Sequence, residues 1–282
     1  MADSIPGPVL HCGRFTFDLT RPRVIGILNV TPNSFSDGGR YFNHGRGLAH
    51  AKRMILDGAD IIDIGGESTR PGAEPVAEAD ELARVVPLVE ALAAAGIAVS
   101  VDTRKPVVMR AAIEAGAAMI NDVNALAAPA ALDAVAASGV GVCLMHMQGD
   151  PRSMQLAPAY QDVIAEVRDF LVIQANACRA AGIARNRIVV DPGYGFGKQL
   201  AHNLSLVRAL PALTATGYPV MIGVSRKSSL GELTGRPVDE RLAASLAAAL
   251  AAVARGARLL RVHDVRETVD ALKVWTAVDE AA

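Results

Sequence analysis

AVSVDTRKPVVMRAAIEAGAAMIN, residues 98–121, contains the repeating pattern from which the architecture of this chain can be inferred. An apolar run at 98–101 ends on Asp102, and a helix-compatible stretch follows at 106–115. A second apolar run at 118–120 then ends on Asn121. A strand that is followed by a helix and by another strand is the unit from which parallel sheets are built. The stretch therefore predicts a β-α unit whose strands end on polar side chains.

The same unit recurs along the whole chain. Eight apolar runs occur, at residues 24–30, 61–64, 98–101, 118–120, 140–145, 188–190, 220–223 and 259–260. Polar residues lie at or just after their ends, namely Asn29, Asp63, Asp102, Asn121, His146, Asp191, Ser225, Arg261 and His263. Eight β-α units can close into a barrel, and the chemistry of such barrels lies at the C-terminal strand ends. We therefore predict an α/β fold, a single (β/α)₈ TIM barrel, with its active site at those ends.

The length of 282 residues leaves little room beyond one barrel. We predict one domain over residues 1–282 with a core at about 20–278. Residues 10–17 predict a short N-terminal β element at the floor of the barrel. The connections at 31–44 and 67–77 are long and rich in Gly, Pro and Ser, which is typical of functional loops on the catalytic face.

Helices are predicted between the strands. They are expected at residues 46–56, 78–94, 106–115, 130–137, 161–181, 203–210, 229–254 and 265–275. The seventh is expected to break near residues 235–237, which contain a glycine and a proline. Its Ala-rich part, 242–254, is apolar on most faces, so we expect burial on more than one side, either inside this chain or at a subunit interface.

Composition argues against several classes of partner. A net charge of −1 gives no basic surface for nucleic acid. No apolar run approaches the length of a membrane span, and residues 1–9 lack the pattern of a signal peptide. Cys12, Cys143 and Cys178 are odd in number and widely spaced. We interpret them as buried or inert thiols in a reducing cytoplasm, not as a disulfide set or a zinc site.

Four polar residues at strand ends predict a pocket for a flat heterocycle. Asp63, Asp102, Asn121 and Asp191 would converge on the mouth of the barrel. Carboxylates accept hydrogen bonds from ring N–H and amino groups, and an amide both donates and accepts, which suits a guanine- or pterin-like edge. For each of these residues taken alone, a helix cap or a structural hydrogen bond is an equally good interpretation.

A second group of residues predicts an anion site. Arg261 and His263 alternate on the last strand and therefore point the same way. Asn29 ends the first strand, which adjoins the last in a closed barrel. Together they suit a phosphate or diphosphate with Mg²⁺, since magnesium takes a few protein oxygens besides substrate phosphates. The alternative is that Arg261 and His263 pair structurally with Asp264 or Asp191.

Residues 223–229, GVSRKSS, follow the seventh strand and precede a helix. Such a helix start can bind an anion, although Ser228 or Ser229 could equally be an N-cap. Lys227 has no evident structural reason to be there. The segment 191–198, DPGYGFGK, resembles a phosphate loop but has the wrong glycine spacing and is followed by Gln199. We interpret it as a flexible rim of the pocket around Phe196.

The sequence resembles the dihydropteroate synthases along its whole length and in the order of their motifs. The matching segments are GILNVTPNSFSDGG (26–39), IDIGGESTRPGA (62–73), VSVDT (99–103), IND (120–122), LMHMQG (144–149), DPGYGFGK (191–198), GVSRKS (223–228) and RVHDV (261–265). The resemblance implies a (β/α)₈ barrel, usually a homodimer. It also implies joining of 6-hydroxymethyl-7,8-dihydropterin diphosphate to p-aminobenzoate, which yields 7,8-dihydropteroate and pyrophosphate in folate synthesis, with Mg²⁺.

The resemblance assigns roles residue by residue. The pterin set is Asp102, Asn121, Asp191 and Lys227. The diphosphate set is Asn29, Arg261 and His263, with Asn29 as the magnesium ligand. The p-aminobenzoate set is Thr69, Arg70, Pro71, Phe196 and Ser228. Phe35 and Asp37 would close over the site, and Asp102, Lys227, Asp37, Arg261 and His263 are the residues expected to act in catalysis.

The resemblance also implies a dissociative reaction, in which diphosphate leaves, a pterin methylene cation forms and the arylamine attacks it. Acidic groups around the ring would stabilise that cation, and no Ser–His–Asp or Cys–His arrangement is needed. Asn33 stands where the family commonly has Asp, and Arg104 occupies a variable position. Neither belongs to the core set of site residues.

Two other functions remain compatible with the residues. One is a pterin-binding paralogue of the same fold without activity, which should show damage in its loops or at Lys227, Arg261 or His263. The other is a methyltransferase that takes a methyl group from methyltetrahydrofolate to a corrinoid. That class would keep pterin-binding Asp and Asn residues but needs no diphosphate site, so residues 223–228 and 261–265 argue against it.

Overall fold

A computed structural model describes residues 8–31, 40–68, 72–150 and 152–281. The strands in these ranges are β1 (Val9–Cys12), β2 (Phe15–Asp18), β3 (Arg23–Asn29), β4 (Ile61–Gly65), β5 (Val99–Asp102), β6 (Met119–Asp122), β7 (Gly141–Met145), β8 (Ile188–Asp191), β9 (Met221–Ile222) and β10 (Leu259–Val262). The helices are α1 (Arg40–Leu56), α2 (Glu78–Ala94), α3 (Pro106–Glu114), α4 (Pro129–Ala136), α5 (Val163–Ala180), α6 (Leu200–Arg208), α7 (Leu210–Thr214), α8 (Ser228–Thr234), α9 (Leu242–Val253) and α10 (Val265–Asp279).

Strands β3 to β10 form one parallel sheet that closes on itself. Their order is β8-β7-β6-β5-β4-β3-β10-β9. A bridge between Val190 and Val220 brings the two end strands together, and the Val190 N–H donates to the Pro219 carbonyl at 3.0 Å. Helices lie between successive strands and cover the outside of the sheet. The prediction of an α/β (β/α)₈ barrel is confirmed.

The two faces of the sheet have different contents because successive side chains of a strand point in opposite directions. Outward residues such as Val99 and Val101 pack with the helices in one large apolar core. The inward residues near the strand starts form a separate apolar cluster, which includes Ile61, Met119 and Val189. The alternate positions further along, toward the C-terminal ends, are polar. The site residues are therefore inward-facing members of otherwise apolar strands.

The N-terminal hairpin of β1 and β2 closes the floor of the barrel. Leu10 and Cys12 are fully buried in the cluster formed by the strand starts. The Gly13 N–H donates to the Gly139 carbonyl at 2.9 Å, which ties the hairpin turn to the barrel. Gly141 begins β7 directly under the hairpin, where an added Cβ would lie 2.5 Å from the Cys12 sulfur. The predicted β element at the floor is confirmed.

The predicted helices are present, but several of them begin or end at other residues than predicted. Helix α1 begins at Arg40, within a connection that was expected to be loop up to residue 44, and the sixth helical region continues to Thr214 as α6 and α7. Helix α10 runs to Asp279, beyond the predicted end at 275. The break near 235–237 is confirmed, since α8 ends at Gly235, whose φ of +69° favours glycine.

The Ala-rich helix α9 is less buried than its composition suggests. Only one face, which includes Ala249 and Ala252, is buried, whereas Leu242, Ala243 and Ala247 are exposed. Of the two predicted alternatives, burial on more than one side inside this chain is therefore wrong, and burial at a subunit interface stays a prediction. Small side chains make the helix apolar all round without giving its outer face anything to pack against.

The three cysteines are free and buried. Burial raises the pKa of Cys12 to about 12 and that of Cys178 to about 11, and it raises the pKa of Cys143 strongly. Since the thiolate is the reactive form, these thiols are inert at neutral pH, as predicted. Within the described part of the chain, none of the helices combines the length and apolarity that crossing a bilayer requires.

Candidate active site

The polar ends of neighbouring strands lie side by side around the mouth of the barrel. Asn29 ends β3 opposite Gly65, Gly65 lies opposite Asp102, and Asp102 lies opposite Asn121. On the other side, Asp191 ends β8 next to the last residue of β7. Asp102, Asn121 and Asp191 are all buried. The structure thus brings together the residues predicted for the pterin pocket.

Arg261 links this group through a double ion pair. Its Nε donates to Asp63 Oδ2 at 2.6 Å, and its Nη2 donates to Asp102 Oδ2 at 2.8 Å. Burial by itself lowers the pKa of Arg261, but the two carboxylates outweigh it and raise that pKa above its ordinary value. The structural alternative that paired Arg261 with Asp264 or Asp191 is wrong, since Asp264 pairs with Arg226 instead.

Two of the site carboxylates resist ionisation. Burial raises the pKa of Asp102 to about 7, against the opposing effect of the Arg261 guanidinium. Burial also raises the pKa of Asp191 to about 6, although the Gly193 N–H donates to its Oδ1 at 2.7 Å. Perturbed carboxylates of this kind concentrate at functional sites because burial and charge are arranged there for chemistry.

Asp63 belongs to the site, although only its position at a strand end pointed to it in the sequence. Besides Arg261, it accepts a hydrogen bond from Asn121 Nδ2 at 3.3 Å. Its Oδ1 is buried and has no hydrogen-bond partner. Asp63 therefore contacts one residue of the predicted pterin set and one of the predicted diphosphate set, a bridging position that a linear sequence does not reveal.

Lys227 lies on the opposite side of the mouth, beside Phe196. The Lys227 Nζ is 4.1 Å from the centre of the Phe196 ring, which is a cation–π distance. Burial and the positive charge of Arg261 lower the pKa of Lys227 to about 8, while Asp191 and Asp102 oppose that shift. The amine therefore remains mainly protonated at neutral pH and faces the two carboxylates.

His263 is a neutral hydrogen-bonding residue in this structure. Burial and the charge of Arg261 lower its pKa to about 4. Its Nδ1 lies 3.2 Å from the Ser225 hydroxyl, which also accepts from the His263 backbone N–H. The anion site predicted at Arg261 and His263 therefore combines a neutral His263 with an Arg261 guanidinium that is matched by two carboxylates.

The turn before α8 is held in an unusual backbone conformation. Arg226 has a φ of +57°, and its N–H donates to Ser245 Oγ at 2.9 Å. Lys227, and neither of the two following serines, occupies the N-cap position. Ser228 is exposed at the first residue of α8, whereas Ser229 donates its hydroxyl proton to Tyr194 at 2.8 Å. The N-cap interpretation of these serines is therefore wrong.

The segment after β8 is tied down at successive residues, which contradicts the flexible rim expected there. Asn203 Oδ1 accepts from the Gly195 N–H at 2.7 Å, and the Tyr160 hydroxyl donates to the Gly197 carbonyl at 2.8 Å. Gly193, Gly195 and Gly197 have φ values of +69°, +83° and +62°. The glycines give a fixed, tightly packed turn that no phosphate-loop pattern describes.

The base of the connection between β4 and α2 is fixed by an ion cluster. Lys105 donates to Glu67 at 2.6 Å, to Glu81 at 2.5 Å and to the Val76 carbonyl at 2.6 Å. Glu67 also accepts from the Val76 N–H at 2.9 Å and pairs with Arg104 at 3.0 Å. Arg104, which departs from the family pattern, thus has a structural contact. Both ends of the loop are joined by these bonds.

Several predicted residues lie outside the described part of the chain. They are Phe35, Asp37, Thr69, Arg70 and Pro71. The departure at Asn33 lies there too.

A closed (β/α)₈ barrel with buried carboxylates, an amide, a lysine and an arginine at its mouth defines an enzyme that binds a polar heterocycle and an anion. Residues 25–263 match a family model described as pterin binding enzyme.

Relatives make the class more specific. The dihydropteroate synthase of Neisseria meningitidis serogroup B is 52% identical over 277 residues, which covers 96% of this chain and 97% of that protein. A dihydropteroate synthase of Xanthomonas albilineans solved with 4-aminobenzoic acid superimposes with a TM-score of 0.93 at 54% identity, covering 98% of this chain and 100% of that one.

The Burkholderia cenocepacia dihydropteroate synthase solved with 7,8-dihydropteroate gives a TM-score of 0.89 at 51% identity, with 98% of each chain covered. This chain belongs to the dihydropteroate synthase family. That membership decides against the inactive paralogue and against the corrinoid methyltransferase.

Proposed function

We propose that the residues at the barrel mouth bind 6-hydroxymethyl-7,8-dihydropterin diphosphate and p-aminobenzoate and join them into 7,8-dihydropteroate, with release of pyrophosphate. The observation that carries this proposal is the buried Asp63–Arg261–Asp102 ion group beside Asp191 and Lys227. Such a group suits a ring that gains positive charge while its leaving group gains negative charge.

The pterin is assigned to Asp102, Asn121, Asp191 and Lys227. The Asn121 amide donates to Asp63, so its carbonyl oxygen is available as an acceptor for a ring N–H. Asp191 uses Oδ1 for the Gly193 N–H, which leaves Oδ2 for an amino group of the ring. These donors and acceptors match the alternating edge of a pterin.

The diphosphate is assigned to Asn29, Arg261 and His263. Arg261 supplies charge, and neutral His263 can donate from Nε2 when the Ser225 hydroxyl donates to its Nδ1. Mg²⁺ is assigned to Asn29, next to which Gly65 leaves room, since a Cβ there would lie 3.5 Å from the amide oxygen. Among the described residues no group of three His, Cys, Asp or Glu side chains is placed to hold a metal. Diphosphate and water would therefore complete its ligands, and the ion would supply charge for the leaving group.

The reaction that fits this arrangement is dissociative. The bond between the pterin methylene carbon and the diphosphate oxygen breaks, and its electron pair leaves with the diphosphate. Asp102 and Asp191 stabilise the resulting pterin cation, while Arg261 and His263 stabilise the departing oxygen. The amine of p-aminobenzoate then attacks the methylene carbon and loses a proton. No covalent enzyme intermediate is required.

The p-aminobenzoate is assigned to Thr69, Arg70, Pro71, Phe196 and Ser228, with its carboxylate at the start of α8. Phe35 and Asp37 are assigned to closing over the bound substrates. Of these residues the structure describes Phe196, which lies against Lys227, and Ser228, which is exposed at the mouth. The p-aminobenzoate would therefore lie outward from the pterin.

A coupled assay for pyrophosphate tests the proposed reaction. With pterin diphosphate, Mg²⁺ and p-aminobenzoate present, we expect continuous pyrophosphate release and the mass of 7,8-dihydropteroate in the product. Without p-aminobenzoate, release should fall to a small background, because the cation has no amine to trap it. Release of pyrophosphate at the same rate without the arylamine would contradict the proposed condensation.

The order of binding gives a second test. We expect a sulfonamide that mimics p-aminobenzoate to bind weakly to the free enzyme and at least about 10-fold more tightly with pterin, pyrophosphate and Mg²⁺ present, because Phe35 and Asp37 are assigned to closing over the bound pterin and diphosphate. Calorimetric titration into each state measures the difference. Removal of Mg²⁺ with EDTA should abolish the gain. Equal affinity of the sulfonamide in all states would contradict the proposed order of binding.

We further propose a cytoplasmic homodimer. Three buried, free cysteines fit a reducing compartment. The exposed apolar side chains Leu233, Val238, Leu242, Val274 and Val278 lie on α8, the turn after it, α9 and α10, which pack against one another or follow directly in the chain. Exposed apolar side chains on neighbouring helices are what a symmetric contact with a second copy would cover.

A further inference from the structure

Lys198 is a buried lysine for which the proposed reaction has no use. Only 2% of its surface is exposed. Its Nζ lies 2.9 Å from the Phe196 carbonyl, 3.0 Å from His146 Nδ1 and 3.3 Å from the His146 carbonyl. A lysine ammonium has three N–H donors, so these three acceptors account for all of them.

The chemistry of His146 fits this arrangement. Burial and the charge of Lys198 lower the pKa of His146 to about 3, so its ring is neutral. When Lys198 is an ammonium it has no lone pair, and His146 Nδ1 is then the acceptor of this hydrogen bond. The ring is also held edge-on against Phe170, with 5.0 Å between the ring centres. The side chain of His146, just after β7, is thus held in one orientation.

Lys198 therefore joins the end of β7 to the turn after β8. The same two segments approach closely at Gly193, where an added Cβ would lie 1.8 Å from the His146 carbonyl oxygen. The His146 N–H donates to the Asp191 carbonyl at 3.0 Å. Burial lowers the pKa of Lys198 to about 7, and Asp191 opposes this shift. Burying an amine costs free energy, and the hydrogen bonds of Lys198 offset that cost by fixing the backbone at His146 and Phe196.

The backbone held by Lys198 is that of Phe196. The Phe196 carbonyl accepts from Lys198, and the Phe196 N–H donates to the Gly193 carbonyl at 3.0 Å. With both groups bonded, the backbone from which the Phe196 ring extends is fixed, and the ring centre lies 4.1 Å from Lys227 Nζ. Lys227 is held independently, since its N–H donates to Val224 at 3.3 Å and its carbonyl accepts from Arg241 at 3.4 Å.

We propose that Lys198 is a positioning residue that fixes the Phe196 ring against Lys227 and so shapes the p-aminobenzoate side of the boundary between the two substrates. This inference rests on the proposed function. Because Lys227 is anchored separately, loss of Lys198 moves the ring and leaves the pterin side in place.

The variant Lys198→Met keeps an unbranched side chain and removes all three donors. We expect the KM for p-aminobenzoate to rise by at least about 10-fold, since small misplacements at a reacting centre cost that much or more. The Kd of the pterin, measured by calorimetry, should change by less than about 3-fold, because no hydrogen bond joins Lys198 to the pterin residues, and only its charge acts on Asp191. A purely structural role would change both values together.

Two controls make the effect specific. Tyr160→Phe removes a different bond to the same turn, to the Gly197 carbonyl, and should leave the KM within about 3-fold of the wild-type value. In a Phe196→Leu background, Lys198→Met should raise the KM by less than about 2-fold further, because the ring it positions is gone. If Lys198→Met does not fold, Lys198→Gln is measured against the same criteria.

An unchanged KM, an equal loss of pterin affinity, or an undiminished effect in the Phe196→Leu background would overturn this inference while leaving the proposed reaction in place. Absence of dihydropteroate formation by the wild-type chain would overturn the proposed function and this inference together.

Discussion

An Arg261→Lys variant is expected to lose at least about 100-fold in kcat/KM while it still folds, because one ammonium cannot replace a guanidinium that binds two groups at once. Arg261 donates from Nε to Asp63 and from Nη2 to Asp102, which are 198 and 159 residues away in the chain. Lysine keeps the positive charge near both carboxylates but lacks the planar guanidinium, whose two N–H groups donate to both carboxylates in a fixed direction. Pyrophosphate release measures the loss.

The matched variant Arg261→Ala separates stability from chemistry. It leaves Asp63 and Asp102 buried without a cation, and breaking a buried pair in this way costs about 3–5 kcal/mol. We therefore expect urea unfolding at lower concentration for Arg261→Ala and nearly unchanged unfolding for Arg261→Lys. Near-normal turnover of Arg261→Lys would show that the guanidinium contributes to the stability of the fold and not to the reaction.

Asp102→Asn is expected to lower kcat by about 100- to 1000-fold, a loss typical for removal of one electrostatic stabiliser of a transition state. The substitution keeps size and hydrogen-bonding shape but removes the charge facing the developing pterin cation. Pterin affinity should fall by less than about 10-fold, since the ground state of the ring is neutral. Calorimetry and steady-state kinetics measure the two values. A large affinity loss with kcat preserved would make Asp102 a binding residue only.

The pH dependence of unfolding gives an independent test of the raised pKa of Asp102. Its pKa in the folded protein is raised to about 7 from the ordinary value of 3.8, so folding favours the protonated form. This contribution to stability is complete below pH 3.8 and is lost as the pH rises toward 7. Asparagine does not titrate. The stability of Asp102→Asn relative to wild type should therefore improve as the pH is raised from about 4 to about 8, in urea unfolding at each pH.

The positions of the site residues could be predicted from the sequence because they follow from the geometry of a parallel barrel. Asp102, Asn121 and Asp191 end strands, and parallel strands of a barrel end at one mouth. The inward direction of Arg261 and His263 follows from the period of two along a strand. Local periodicity therefore sufficed to group residues that are far apart in the chain.

The partners of these residues could not be predicted in the same way. The pairing of Arg261 with Asp63 depends on the stagger between strands, which no local pattern encodes. The neutrality of His263 results from burial beside Arg261, and the burial of Lys198 results from packing between two turns. Composition alone did not show whether the second apolar face of α9 packs inside this chain or against a second copy, and within this chain that face is exposed. Charge states and contacts are properties of the assembled barrel.

The N-terminal hairpin closes the end of the barrel at which the strands start, so the binding site opens at the other end. Leu10 and Cys12 fill the narrow end together with the first inward residues of the strands, so what enters from the mouth can return only through the mouth. Asn121 and Asp191 lie deep and Ser228 lies at the surface. We therefore expect a molecule held at the deep residues to arrive before one held at the rim. Once joined, the two halves of the product can leave only as a single piece, rim end first.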